Sequence, residues 1–189
     1  MGAMLIDRHV ATNGMAESTT MQVLDRSSAA TSFLVSPRWP YDRVFISNEA
    51  LRRLTAAQGT LSEHGVTLVL TRGYESRGKR IRVAHRLGRA VGMVLFCLVY
   101  PHRYRERRAI FSPNGHDRSG DCIDLGLLHR GKPLALLPLG VFTPSWLIRR
   151  AQHVHQRELT LAWSALASAG FSVHDNPTEA MQIHCEVRG

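Results

Sequence analysis

The sequence predicts an α+β fold in which a small mixed or antiparallel sheet is flanked by helices. Residues 65–71 form a β-branched apolar segment, which is typical of a strand. From residue 143 to residue 169, apolar side chains recur every three or four positions, as they do in an amphipathic helix. Residues 182–187 alternate polar and apolar side chains, which indicates a strand with one covered face.

The chain of 189 residues is long enough for one domain with a substantial hydrophobic core. We place this domain at residues 41–189. Residues 1–40 show no sustained periodicity and are expected to form an irregular arm, with a short strand at residues 33–35. Residues 1–3 resemble a tag remnant and carry no fold information.

The first half of the domain alternates predicted strands and helices. Residues 44–46 predict a strand, and Ser47 is the predicted N-cap of a helix that ends near Gly59. The strand at 65–71 follows. Residues 80–90 predict a short basic helix. The apolar run at 91–100 is about half a membrane span, so it predicts a central strand.

The second half contains the longest predicted helix. Thr143 is its predicted N-cap, with Pro144 in the first helical position and Gly170 at the end. The remaining predicted strands are 122–128, 133–139, 171–173 and 182–187, and residues 129–132 form the predicted turn between the first two.

The net charge is +9, and arginine carries nearly all of it, since the only lysines are Lys79 and Lys132. Such a balance favours anionic partners, such as nucleic acid or a substrate with carboxylates or phosphates. Residues 101–108 interleave arginine with aromatic side chains, which suits nucleic acid, although a solvated loop has the same composition. We expect no membrane partner.

Cysteine usage and the N-terminus bear on the cellular compartment. Cys97, Cys122 and Cys185 include no CxxC pair, so no disulfide framework is predicted. Residues 1–30 lack the apolar segment of a secretory signal. We therefore expect a cytoplasmic protein.

One histidine and one aspartate stand out in a polar loop that leads into a strand. His116 and Asp124 could supply two of the three protein ligands that a catalytic zinc needs. In the last strand, His184 and Glu186 share a face that is too polar for a core. Pairing of the two strands would bring Asp124 next to His184, the predicted third ligand. A structural hydrogen-bonded cluster is the alternative.

Four short motifs accompany these residues. Residues 114–124 have the order Asn-x-His-x-x-x-Gly-x-Cys-x-Asp, and residues 169–171 close the long helix with Ala-Gly-Phe. Residues 184–189 are His-Cys-Glu-Val-Arg-Gly, and Gly73-Tyr74 ends an earlier strand. Together these motifs resemble those of the zinc D-Ala-D-Ala dipeptidase and carboxypeptidase family, whose fold is shared with the Hedgehog signalling domain.

Over residues 60–189, this resemblance implies a Hedgehog-like fold and a Zn²⁺ ion held by His116, Asp124 and His184. Asn114 takes the place of the serine in the family's Ser-x-His-x-x-Gly-x-Ala-x-Asp motif and is expected to contact the substrate.

The chain also departs from the family's pattern. One residue is inserted between His116 and Gly120. Met181 stands where the family often has a glutamate base, and Glu75 stands where it has an arginine that steadies the oxyanion. The metal ligands are thus expected to be present, while two catalytic groups are missing or moved.

Nearby residues could replace the two missing groups. Glu186 or Glu179 could take the proton from the attacking water, and Arg72 or Arg77 could supply the positive charge. Arg77 and Tyr74 would then contribute to substrate binding. In the alternative, Glu186 only orients a histidine.

These observations predict a zinc-dependent hydrolase that cleaves an amide or peptide bond in a small, dipeptide-like substrate bearing a carboxylate. A second hypothesis is a repurposed zinc enzyme of specialised metabolism, which performs a lyase, cyclisation or isomerisation step. A third is a basic nucleic-acid-binding module with a structural metal.

Overall fold

A computed structural model describes residues 21–28, 31–38, 41–74, 79–102, 120–134, 142–174 and 182–188. These residues form a mixed α+β structure, which confirms the predicted fold class. The strands are β1 (Met21–Asp25), β2 (Leu34–Val35), β3 (Arg43–Ser47), β4 (Val66–Arg72), β5 (Cys122–His129), β6 (Lys132–Pro133), β7 (Phe171–His174) and β8 (Ile183–Val187). The helices are α1 (Asn48–Ser62), α2 (Lys79–Val99), α3 (Ser145–Val154) and α4 (Gln156–Ser168).

Six of the strands form one sheet in the order β2-β4-β5-β8-β7, with β6 paired to the end of β5. The β2–β4 pair is parallel, and the other pairs of this sheet are antiparallel. β1 and β3 form a separate antiparallel pair. The predicted mixed sheet is therefore present, and it places β5 and β8 side by side.

The hydrophobic core lies between this sheet and the helices α1 and α4. Alternate residues of the central strands point into it, because successive side chains of a strand face opposite sides. Those side chains are almost fully buried and belong to Leu68, Leu70, Ile123, Leu125 and Ile183. The polar residues between them consequently lie on the other face.

Helix α1 begins as predicted. The Ser47 side chain caps it by accepting a hydrogen bond from the Ala50 backbone N–H at 3.1 Å. The predicted end at Gly59 is wrong, since the helix continues to Ser62. Leu61 is buried, so core packing extends one turn beyond the glycine and offsets its low helix propensity.

Two strands lie within the stretch expected to be an irregular arm. The short strand predicted at residues 33–35 is confirmed as β2. β1 was not foreseen; it pairs with β3, and its Leu24 is buried in the core. Residues 21–35 thus contribute core side chains as well as backbone pairing.

The strand predicted at residues 91–100 is wrong. This segment continues the predicted basic helix, and together they form α2, which spans Lys79–Val99. A continuous apolar run fits a buried strand and a helix equally well, so periodicity alone could not decide. None of the helices in the described part of the chain is long and apolar enough to cross a membrane.

The long helix predicted from Thr143 is interrupted. α3 and α4 meet at His155, whose backbone angles (φ −109°, ψ 19°) break the helical path. The N-cap prediction is wrong, because Pro144 occupies the cap position and makes no side-chain cap bond. Thr143 is instead buried, and within the described residues its hydroxyl has no hydrogen-bond partner.

Candidate metal centre

A row of polar residues crosses four neighbouring strands on the sheet face opposite the core. The register pairs Arg72 of β4 with Asp124 of β5, Asp124 with His184 of β8, and His184 with His174 of β7. The predicted pairing of Asp124 with His184 is therefore confirmed. We call these four residues the polar row.

Arg72 joins the polar row because β4 contains a register irregularity. Leu70 pairs with Leu125 and Arg72 with Asp124, so two steps along β4 match one step along β5. Such a bulge moves the following side chain to the other face of a strand. Without it, Arg72 would point into the core as Leu70 does.

Asp124 is the centre of the row. Its carboxylate is 1% exposed, and Oδ1 lies 2.8 Å from Nδ1 of His184. Because an ionised carboxylate only accepts hydrogen bonds, the imidazole Nδ1–H is the donor. Oδ2 lies 4.0 Å from a terminal guanidinium nitrogen of Arg72. The Asp124 backbone carbonyl accepts a further hydrogen bond from the Thr71 hydroxyl at 3.0 Å.

The donor chemistry of Asp124 and His184 fits zinc, which binds carboxylate oxygen and imidazole nitrogen at about 2.0–2.2 Å. For both residues to bind the same ion, the present 2.8 Å contact would have to open. With Nδ1 bonded to Asp124, the Nε2 atom of His184 is the alternative donor, and Asp124 then orients the ring. Both modes use the same pair.

A second cross-strand row lies beside the first. Cys122 of β5 pairs with Glu186 of β8, and Glu186 pairs with Ser172 of β7. Burial, together with the carboxylate of Glu186 that hydrogen-bonds the thiol, raises the pKa of Cys122 to about 11. Oε2 of Glu186 lies 3.9 Å from Nε2 of His174. The predicted base thus contacts a thiol and a second imidazole.

A small surface recess begins at the arginine end of the polar row. Tyr41, Arg43, Phe45, Arg72 and Tyr74 contribute to its walls. Tyr74 is fixed there, because its N–H donates to the Phe45 carbonyl at 2.7 Å and its ring meets the Phe45 ring edge-on. The lining of the recess is mainly apolar, so it suits the apolar part of a small ligand.

Gly120 ties the loop before β5 to the start of α1. Its carbonyl accepts a hydrogen bond from the Ser47 N–H at 3.1 Å, and its φ is +73°. A Cβ at this position would lie 2.9 Å from the Ser47 nitrogen, so only glycine fits without displacement. The Asp121 carboxylate adds a 2.6 Å hydrogen bond from the Ser47 hydroxyl.

The structure brings together some of the predicted site residues. Asp124, His184, Glu186, Arg72 and Tyr74 lie on or beside the polar row. The other predicted residues lie outside the described part of the chain: His116, Glu179, Asn114 and Arg77.

His174 was not among the predicted site residues, yet its ring centroid lies 5.5 Å from that of His184. The sequence does contain a signal for His174. If residues 171–174 pair antiparallel with the last strand, the alternation of side chains can place His174 on the same sheet face as His184. Among the described residues, which leave out 103–119 and 175–181, no group of three or more His, Cys, Asp or Glu side chains could hold a metal ion.

No protein-family model matches the chain, and no curated protein matches it significantly.

Proposed function

We propose that this chain is a divergent relative of the zinc D-Ala-D-Ala dipeptidases and carboxypeptidases, with a Hedgehog-like fold, and that it hydrolyses an amide or peptide bond in a small substrate bearing a carboxylate. The observation that carries the proposal is the contact between Asp124 and His184. Two residues sixty positions apart, chosen from separate motifs, meet on neighbouring strands at hydrogen-bond distance.

The other motifs lie where this proposal needs them. Gly73-Tyr74 follows β4, which neighbours β5. Gly170 follows α4, and Phe171 begins β7, which neighbours β8. The motifs therefore converge on the four strands that hold the polar row, as expected if they belong to one site.

Asp124 and His184, with His116, would hold the zinc ion. When bound, zinc polarises a substrate carbonyl and makes water nucleophilic at neutral pH. In the arrangement in which His184 binds zinc through Nε2, Asp124 would instead orient the His184 ring through its 2.8 Å hydrogen bond. Arg72 and Arg43 in the recess would bind the substrate carboxylate, and the rings of Tyr74 and Phe45 would pack against its apolar part.

Glu186 would take the proton from the attacking water. Its side chain is about half exposed and projects from the same strand face as His184. His174, 3.9 Å from the Glu186 carboxylate, would hold that carboxylate in place and pass the proton on. Glu179 is the other candidate for this role.

The test begins with metal-depleted protein to which zinc is returned. We expect about one zinc per chain by elemental analysis and hydrolysis within a panel of dipeptides and acyl-amino acids. His184→Ala and Asp124→Ala should lose both metal and activity. Glu186→Gln should keep the metal and lose about 10²–10⁴-fold in rate, whereas Glu63→Gln, at an exposed glutamate at the end of α1, should change neither. Failure to take up zinc would refute the proposal.

Two departures from the family's pattern favour a second candidate, the repurposed zinc enzyme. Met181 and Glu75 stand where the family has its glutamate base and its oxyanion arginine, so two usual groups of a hydrolytic centre are replaced. Incubating the zinc-loaded protein with a cell extract distinguishes the two functions. A hydrolase adds the mass of one water to its substrate, an isomerase leaves the mass unchanged, and a lyase splits the substrate without water.

A further inference from the structure

Helix α2 carries a stripe of large apolar side chains that are exposed to solvent. Leu87, Val91, Val94 and Leu98 follow one another at spacings of four, three and four residues, so they form one line along the helix. Their exposure reaches 72% at Leu98. Two further exposed residues widen the line: Leu95 and Val99.

The stripe faces away from the side on which the helix is anchored. Phe96 is fully buried and packs against the rings of Tyr100 and Phe142, with centroids 5.4 and 6.3 Å away. The Tyr100 hydroxyl donates to the Phe142 carbonyl at 2.6 Å. Phe96 and Leu98 are about 200° apart around a helix. The apolar stripe is therefore not the anchored face of α2.

The charge of α2 has a single sign. Between residues 79 and 99 the helix contains Lys79, Arg80, Arg82, Arg86 and Arg89 and no aspartate or glutamate. All five basic residues lie between residues 79 and 89, and the exposed stripe runs from Leu87 to Leu98. Such a helix has an exposed apolar line and an unbalanced positive charge. It is therefore complementary to a surface with an apolar interior beneath an anionic outer layer.

We propose that α2 docks on the surface of a phospholipid bilayer that contains anionic lipids, with its apolar stripe inserted at the level of the headgroups. The helix would lie in the interface and not cross the bilayer. The basic residues would contact lipid phosphates, each strengthening binding roughly fivefold. This inference does not depend on the zinc centre, and it departs from the expectation of no membrane partner.

A second copy of the chain fits the stripe less well. The exposed line spans about 18 Å along the helix and offers on the order of 200–300 Å² of surface, whereas a stable interface needs about 800 Å² from each partner. Parallel pairing of two α2 helices would also bring five basic residues of each copy together without an acidic residue of α2 to balance them. A membrane imposes neither requirement.

The experiment measures co-sedimentation of the full chain with vesicles. One set is phosphatidylcholine alone, and the other contains about one third phosphatidylglycerol. We expect at least tenfold tighter binding to the anionic set at about 0.1 M salt, and a large loss at about 1 M salt. The triple variant Leu87→Ser, Val94→Ser, Leu98→Ser should bind at least tenfold more weakly.

Val154→Ser is the matched control, because Val154 is an equally exposed apolar residue on α3 and should leave binding unchanged. Circular dichroism establishes that each variant is folded. The proposal is overturned if the wild-type chain ignores anionic vesicles, or if the folded triple variant binds them as well as the wild type. It is also overturned if analytical ultracentrifugation shows a dimer that the triple variant dissociates, since a second copy then covers the stripe.

Discussion

Replacing Asp124 by alanine is the most informative change to the polar row. The carboxylate is 1% exposed and accepts a 2.8 Å hydrogen bond from His184. Removing it deletes the acceptor of the 2.8 Å hydrogen bond from His184, and it removes a negative charge 4.0 Å from the Arg72 guanidinium. Removal of one member of a buried pair typically costs about 3–5 kcal/mol. We expect a loss near the lower end, since Arg72 retains access to solvent.

The two contacts of Asp124 should contribute unequally. His184 is closer than Arg72 and less exposed. In urea unfolding of the metal-free protein, double-mutant cycles should therefore give a coupling of about 1.5–3 kcal/mol for Asp124 with His184. The coupling with Arg72 should be about 1 kcal/mol or less. Asp124→Asn, which keeps an acceptor oxygen, should cost less than Asp124→Ala.

Zinc links this experiment to the proposed function. At about one hundred times its dissociation constant, a ligand that binds only the folded state stabilises it by about 2.7 kcal/mol. Wild-type protein should gain this amount in the same urea titration, and Asp124→Ala should gain nothing. A loss below about 1 kcal/mol in the metal-free variant, or an undiminished response to zinc, would refute the role assigned to the Asp124 carboxylate.

Two further predictions concern the surroundings of the row. In metal-free protein at pH 8, Cys122 should react with iodoacetamide about a hundredfold more slowly than an unshifted thiol, because its pKa is raised from 9.0 to about 11. Faster labelling, measured by peptide mass mapping, would contradict the assignment. The neutral thiol also stabilises the fold below pH 9, and this contribution to stability is lost between pH 9 and 11. Gly120→Ala should lower the free energy of unfolding in urea by about 1–3 kcal/mol, since the φ of Gly120 is +73° and the new Cβ would lie 2.9 Å from the Ser47 nitrogen. Gly126→Ala is the control, because its Cβ would meet its nearest atom at 3.7 Å, and it should change the free energy of unfolding by no more than about 0.5 kcal/mol.

The pairing of Asp124 with His184 was predictable because strand parity and burial act together. A one-residue slip of β8 would bury His184 and expose Ile183, which is 2% exposed. The alternating pattern therefore determines the sheet face on which His184 lies, and the adjacency of β5 and β8 determines that Asp124 is its neighbour. The same parity applied to β4 would have placed Arg72 in the core, and only the bulge after Leu70 turns it toward Asp124. Hydrophobic periodicity carries no signal of a single extra residue.

Other features escaped sequence reasoning because they depend on tertiary contacts. β1 lies in a segment with no sustained apolar alternation, and only its pairing with β3 makes it a strand. The segment 91–100 was assigned to a strand because long apolar runs are usually buried. In the structure it is helical, and most of its large apolar side chains are exposed. That exposure, which no sequence pattern reports, carries the membrane proposal.

The polar row is better explained by chemistry than by stability. The Asp124 carboxylate is desolvated, and the side chains of Arg72 and His184 beside it are partly so. Apolar residues of similar volume would often stabilise such a position more. The sheet already has a full apolar face against α1 and α4, so it does not need the row to hold its strands together. The bulge in β4 also gives up regular pairing in order to turn Arg72 toward Asp124. Burial of polar groups and loss of regular pairing both destabilise the sheet, and both occur where the separate motifs meet. This coincidence is most simply explained if the polar row is a functional site.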